Sequence, residues 1–387
     1  MSVAGTSVIE RVETFPVAPR WLFVRIETSD GIVGWGEASL EGYADVVKAA
    51  VDQFSGYLVG TDPSTIEDHW QVLTKGQFYR FGAVLASAVA GVDQALWDIL
   101  GKRLGVPVHE LLGGAVRQSI RAYGWVGGDD PSEVAEEISA QLDVGLTAVK
   151  MNASGKMSRS GSLAELNMVV ARVASAREVL GDDRDVAVDC HGRFALATAR
   201  RLAPLLEPLH PFFIEEPVVP ENSHVIGHMV DATTIPIALG ERLYSRQEFL
   251  PVLQAGVAVV QPDLSHAGGI SEVRRIAALA EVFDASIAPH CPLGPLALAA
   301  CLQVGFATPN HLIQEQSIGI HYNDGAEVLD YMLDPEPFAF VDGHFPLLTG
   351  PGLGITIDES AVRAAAKLWD GWQNPIWRHT DGAVAEW

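Results

Sequence analysis

Three acidic residues recur at a fixed interval in the middle of the chain. Asp189, Glu215 and Glu241 each close a short apolar run, in VAVDCHGR, FFIEEP and IALGER, and successive members stand 26 residues apart. That interval holds a buried parallel strand of about five residues, a crossover helix and two loops. Carboxylates at the same point of successive βα units converge at the carboxyl end of a barrel. Three hard oxygen donors with no thiolate among them describe a Mg²⁺ site with room for waters or substrate oxygens. One acid at a strand end reads as ordinary surface charge; three in register do not.

Neighbouring strand ends carry polar groups as well: Lys150 and Asn152, His191 beside Asp189, then Asp263, His290 and Glu315. Side chains two apart on a strand point the same way, so Lys150 goes with Asn152 and Asp189 with His191. A divalent cation on the carboxylate of a 2-hydroxy acid stabilises the dianion left when the adjacent proton departs. His290 is the candidate base, and Asp263 on the next strand would fix its tautomer and raise its basicity. His191 is the candidate acid for a departing hydroxyl. Glu315, if protonated, would donate to the developing enediolate, and Lys150 would neutralise the same charge. The product would be an enol that becomes a 2-keto-3-deoxy acid.

Each residue taken alone has a plainer reading. His191 is then a core histidine, His290 a turn residue in APHCPLGP, and Asp263 a helix cap. Glu216 is turned away by alternation and reads as a packing or ion-pair residue. His266, His311, His321 and His379 read as structural. The glycines of HAGGI match no phosphate-loop spacing. Arg20 and Tyr43, with Tyr79 and Arg80, are candidates to reach the site from the first domain and contact substrate, as Asn152 is from the barrel.

The positioning elements follow from periodicity. Residues 1–117 read as an α+β unit, with β-rich runs Trp21–Glu27 and Gly31–Glu37 joined through Ser29-Asp30-Gly31. Helical periodicity covers Ala44–Val59 and Ala83–Leu104, and Asp62-Pro63 signals a helix start between them. Over 118–354 short apolar strands alternate with helical stretches such as Ala164–Leu180 and Ser271–Phe283. The strands are IRAYGWV, TAVKM, VAVD, FFIE, IALG, VVQP, SIAPH and HLIQE. Strands so connected favour a closed (β/α) barrel over an open sheet. In 355–387 a short helix is expected over Ser360–Leu368. The tail beyond it carries Trp369, Trp372, Trp377 and Trp387, and is expected to pack on the N-terminal unit.

Composition sets the bounds. The chain has 387 residues, 48% of them hydrophobic, enough for a barrel of about 250 residues and a second domain. A formal net charge of −23 argues against nucleic acid and anionic membranes as partners. An anionic small molecule must therefore be held by local cations. Cys190, Cys291 and Cys301 form no disulfide framework, which fits a cytoplasmic protein. Cys190 and Cys291 adjoin site residues but read as small buried fillers. No signal peptide is expected, and no apolar run reads as a membrane span.

The segments GWGEASLEGYADVVKAAV, AGVDQALWDILGK, VDCHGR, FIEEPV, GERLYSR, QPDLSHAGGI, APHCPLGPLALAACL, QEQSIGIHYN, PGLGI, NPIWRHTDG and AVAEW run the length of the chain. Together they resemble the enolase superfamily in its mandelate racemase group. The resemblance implies a modified TIM barrel, (β/α)7β, with an α+β capping domain formed by the N-terminal region and the C-terminal tail. It implies Asp189, Glu215 and Glu241 as ligands of one Mg²⁺, His290 as base supported by Asp263, His191 as acid and Glu315 as stabiliser of the intermediate. It also implies a homo-oligomer acting on a sugar acid, galactonate before gluconate, mannonate, arabinonate or fuconate. The racemase pattern has Lys-x-Lys on the second strand; here it is Lys150-Met151-Asn152. An amide cannot abstract a proton from that face, which favours dehydration over racemisation. The alternative of another class is a metal-dependent sugar-acid binding protein without turnover, which would not need a base partnered to an acid.

Overall fold

In the computed structural model, residues 7–128, 130–320 and 322–386 are described; His321, Trp387 and the first six residues lie outside them. A three-stranded antiparallel sheet opens the chain: β1 (Ile9–Val17), β2 (Trp21–Thr28) and β3 (Val33–Glu37). The β2–β3 turn has Gly31 at φ +81°, the conformation glycine tolerates best. β1, unrecognised in the sequence because its exposed Glu10 and Arg11 break the apolar run, pairs with β2 along its length. Then come α1 (Ala44–Leu58), α2 (Ile66–Lys75), α3 (Ala83–Leu104) and the short α4 (Val108–Leu111). α3 lies flat on the sheet. A Cβ at Gly34 would sit 2.2 Å from the Ala95 carbonyl oxygen and one at Gly36 2.1 Å from that of Gly91. The two glycines of GWGE thus let the helix backbone touch the strand.

The barrel alternates β4 (Ser119–Val126), α5 (Pro131–Asp143), β5 (Ala148–Asn152), α6 (Leu163–Leu180), β6 (Asp185–Asp189), α7 (Leu196–Leu206) and β7 (Ile214–Glu215). It continues with α8 (Gly227–Val230), β8 (Ile237–Leu239), α9 (Arg246–Gln254), β9 (Val259–Val260), α10 (Gly269–Val282), β10 (Ser286–Ile287), α11 (Pro295–Ala307) and β11 (Gln314–Glu315). The strands from β4 to β10 pair in sequence order, all parallel, and β11 lies beside β4. Leu312 N donates to Ile287 O at 2.8 Å and Ile287 N to Asn310 O at 2.9 Å, closing the ring. Among the described residues seven helices connect the eight strands β4 to β11, which makes this a (β/α)7β barrel. Reciprocal capping boxes start α5 at Asp130 and α6 at Ser162. Tyr123, Ala148, Ala187, Phe213, Ala238, Val259, Ala288 and Ile313 form a buried cluster of their own within the barrel strands. β12 (His344–Pro346) adds to β4, and α12 (Glu359–Ala366) returns to the first sheet through Arg363–Glu13 and Arg25–Glu359 ion pairs at 3.0 and 3.2 Å.

Two expectations need correction. By length and composition α3 could cross a membrane, contrary to the sequence reading, but 72% of its apolar window is buried inside the protein. The tail only begins on the N-terminal unit, where Trp369 Nε1 donates to Asp45 at 3.3 Å. Asn374 still lies against Gly42 of that unit. The later tail residues cross to the barrel, ending in an Arg159–Glu386 ion pair at 3.5 Å.

Capping unit and barrel meet through buried carboxylates. Glu37 accepts from Gly294 N at 2.8 Å and Ala297 N at 3.0 Å, at the N-terminus of α11. Asp93 accepts from Ser271 N at 3.0 Å and Ser271 Oγ at 2.5 Å, at the N-terminus of α10. Burial pushes both acids up to about 7 despite these bonds. The folded protein therefore holds the Asp93 proton more tightly than the unfolded chain does. The stability this contributes is whole below the ordinary value of 3.8 and is lost as pH rises through about 7, with a slope of at most about 1.4 kcal/mol per pH unit. In Asp93→Asn the amide can still accept from Ser271 N and donate to its hydroxyl. That variant is expected to lose less melting temperature than the wild type between about pH 4 and about pH 8; parallel curves would refute the assignment.

Candidate active site

The barrel register sets the site. Asn152 pairs with Asp189 and Asp189 with Glu215 across adjacent strands, so the carboxylates stand side by side at the carboxyl end. Lys150 Nζ points among them, 2.9 Å from Glu215, 2.8 Å from Glu315 and 3.6 Å from Asp189. Gln261 donates to the other Glu215 oxygen at 2.6 Å. Glu241 follows β8 by two residues and reaches the same rim, where Asp189, His191 and Glu241 place ligand atoms within 4.8 Å of one another.

Two imidazoles occupy this rim. His191 Nε2 lies 2.9 Å from Asp189 Oδ2. His290 Nε2 lies 3.1 Å from Glu241 Oε2, and its Nδ1 is 2.7 Å from Asp263 Oδ2. Asp263 is itself held, its second oxygen accepting from Ser265 N at 2.6 Å. Glu315 accepts from Lys150 and, at 2.9 Å, from Cys291 N. The two donors meet different oxygens, so Glu315 is held in place from both sides.

Electrostatics explain the tension. Burial and then the Asp189 charge push Glu215 well above the carboxylate range. Burial also opposes the Lys150 ammonium, but Glu215, Glu315 and Asp189 outweigh it and hold its pKa well above the ordinary value. Asp189 is likewise opposed by burial, yet His191 and Lys150 hold it low. Burial lowers His290, but Glu241, Glu315 and Asp263 raise it well above its usual range. One lysine faces three buried carboxylates, and buried Asp189 Oδ2 has only His191 Nε2 at 2.9 Å and Lys150 Nζ at 3.6 Å to offset its charge among the described residues. A hard divalent cation fits here: Asp189 and Glu241 offer oxygens directly, with Glu215 behind them.

A cavity of about 850 Å³ opens over these groups, a size suited to a small organic ligand. Arg20, Tyr43, Lys150, Asn152, His191 and His290 all line it. Arg20 is pinned by Pro292 O at 2.7 Å and lies 4.6 Å above the Tyr322 ring, whereas Tyr43 is half exposed. Tyr79 and Arg80 are not among the lining residues, and Tyr79 is exposed. Glu216 does turn aside, with φ +38°, and binds Arg242. Both Cys190 and Cys291 are buried. His311 sits below the site, pushed down to about 3 by burial.

Sequence reasoning missed several wall residues. His266, read as structural, lies 6.0 Å from the His290 ring and 3.7 Å from Asp263; its place three residues after Asp263 was the available signal. Arg193, Arg242, Tyr322 and Trp377 also line the cavity, and nothing in their spacing marked them.

Comparison with known proteins places this geometry. Residues 133–361 match the enolase C-terminal domain-like family, and residues 13–113 the N-terminal domain of mandelate racemase / muconate lactonizing enzyme. A D-galactonate dehydratase of Pectobacterium atrosepticum is 51% identical over 380 residues, covering 98% of this chain and all of that one. One from Variovorax paradoxus is 50% identical over the same lengths. Among solved structures, an enolase from Agrobacterium radiobacter, described as a candidate galactarate dehydratase with bound Na and L-malate, is 32% identical. It superposes with a TM-score of 0.90 over 98% of this chain and 100% of its own.

If the crowded carboxylates are what a cation relieves, divalent metal should raise the melting temperature of the wild type. At a hundredfold excess over Kd the gain is about 2.7 kcal/mol. Asp189→Asn and Glu241→Gln should lose most of that response; an undiminished response in both would remove them as ligands.

Proposed function

From a chain that belongs to the mandelate racemase group of the enolase superfamily, we propose a Mg²⁺-dependent hydro-lyase that converts D-galactonate to its 2-keto-3-deoxy acid. The protein is a sugar-acid dehydratase of this superfamily, whose enzymes use a divalent metal. The choice of galactonate rests on relatives of that name at about half identity over their full length. Mg²⁺ rests on the donor set, which is rich in carboxylate oxygen and free of thiolate. Three buried, unpaired cysteines support a reducing compartment, the cytoplasm, and the family resemblance supports a homo-oligomer.

One observation carries the mechanism: the two imidazoles reach the rim from different strands, each against a different carboxylate. The bound ion would neutralise Asp189 and Glu241, leave His290 Nε2 free to accept a proton, and draw charge onto the substrate carboxylate. Asp263 accepts from His290 Nδ1–H, so the lone pair of Nε2 faces the cavity. His290 then takes the proton at C2. Lys150, fixed by Glu215 and Glu315, supports the enediolate with a full positive charge. His191 protonates the hydroxyl leaving C3, and the enol product tautomerises to the keto acid. Arg20 and Tyr43 stand where the far end of a six-carbon acid would reach.

Purified protein screened against aldonic acids, with keto-acid formation as readout, should turn over galactonate best and stop when EDTA removes the metal. A faster reaction with gluconate, mannonate, arabinonate or fuconate would move the substrate; binding without product would leave a non-catalytic binder. His290→Asn should reduce both dehydration and solvent exchange of the 2-hydrogen by about 10² or more. Exchange that persists at the wild-type rate would transfer the base role elsewhere.

A further inference from the structure

The C-terminal tail reaches the acid side of the site through one side chain. Trp377 lines the cavity, and the Arg193 guanidinium lies 4.9 Å from its ring centre. Arg193 is buried; it donates to Ser154 O and approaches His191 Nδ1 at 3.1 Å. A guanidinium can only donate, so Nδ1 accepts and the ring proton sits on Nε2, the nitrogen that faces Asp189 and the cavity. Donation to Nδ1 also draws electron density from the ring and makes Nε2–H a better donor. Trp377 does not hang free. Ala385 N donates to Trp377 O at 3.0 Å and His379 N to Ala383 O at 2.8 Å, forming a small hairpin that the Arg159–Glu386 pair ties to the barrel.

We propose that Trp377 is a positioning residue for the elimination half of the reaction, acting through Arg193 on His191. The inference rests on His191 being the acid. In that step the C2 electron pair of the enediolate forms the C2–C3 double bond and the C3–O bond breaks. The departing hydroxyl takes the Nε2 proton and leaves as water, the Arg193 guanidinium against Nδ1 offsets the negative charge left on the ring, and solvent returns a proton to Nε2. A ring that can tilt away from the leaving oxygen slows this step but leaves proton removal by His290 untouched. The intermediate then returns to substrate more often.

The test is partitioning in D2O. Trp377→Leu should lower kcat for dehydration about tenfold or more, a fraction of what a general acid contributes, with a smaller change in KM. Deuterium at C2 of recovered substrate should increase. Trp377→Phe, which keeps an aromatic face for Arg193, should restore most of the rate. The 3-deoxy-3-fluoro analogue loses fluoride with little need of a proton, so Trp377→Leu should slow it far less than the natural substrate. Arg193→Met should reproduce the altered partitioning, which secures the result if Trp377→Leu does not fold. Equal loss of exchange and dehydration, a loss confined to KM, or unchanged partitioning in both variants would overturn the proposal. A wild type that forms no keto acid from any aldonate would instead overturn the assigned reaction.

Discussion

The site is organised around a lysine too weak for its surroundings. Lys150 is buried and shares one charge among Asp189, Glu215 and Glu315, while Glu241 stands close by on the same rim. Buried like charges of this density are unfavourable unless something neutralises them. The barrel makes the crowding unavoidable, because parallel strands in register deliver side chains from the same level to the same rim. A fold that paid no attention to chemistry would separate these acids. This one packs them together at one rim, an arrangement that suits a hard divalent cation.

The remaining architecture keeps that arrangement from relaxing. Gln94 of α3 donates to Leu264 O at 3.0 Å and accepts from Glu37 N at 2.9 Å, bridging the sheet of the capping unit to the loop that starts at Asp263. Trp70 of α2 donates to Gly268 O at 2.9 Å on the same loop. Glu37 and Arg20 hold the next loop, the one that carries His290, at Gly294 and Pro292. The capping unit therefore grips the two loops that carry Asp263 and His290. Each grip is buried, and a buried polar group that loses its partner costs about 1–3 kcal/mol.

Much of this was legible in the residues. The recurrence of Asp189, Glu215 and Glu241 at one interval marks a barrel because strand, helix and loops of near-constant length repeat. Alternation placed His191 with Asp189 and turned Glu216 aside. The structure forms α3 over its full expected length, since twenty-two largely apolar residues without proline leave few other choices. What stayed hidden depends on contacts made across long separations. His266 looked structural because its cavity partner Glu41 comes from the other domain. The orientation of Glu315 is set partly by Cys291 N, a backbone donor that no pattern of side chains reveals. The tail was half read: Trp369 packs on the N-terminal unit as expected, whereas Trp377 and Glu386 reach the barrel, because tryptophans report that a segment packs and not where.

The two sides of the site are built differently, and the difference bears on the outcome of the reaction. His290 stands on the side gripped by the capping unit, whereas His191 lies beneath Arg193 and the tail. Asn152 occupies the rim where a second lysine would serve as another base, and its Oδ1 is buried without a hydrogen-bond partner among the described residues. An amide oxygen there can accept a hydrogen bond from a substrate hydroxyl but cannot carry a proton to the opposite face of C2. On the proposed mechanism an enediolate formed by His290 thus has two exits: reprotonation from the side it came from, which regenerates substrate, or loss of the 3-hydroxyl. Inversion at C2 would require a donor on the Asn152 face. With that donor absent from Lys150-Met151-Asn152, productive turnover depends on how fast His191 removes the hydroxyl relative to the return of the proton by His290.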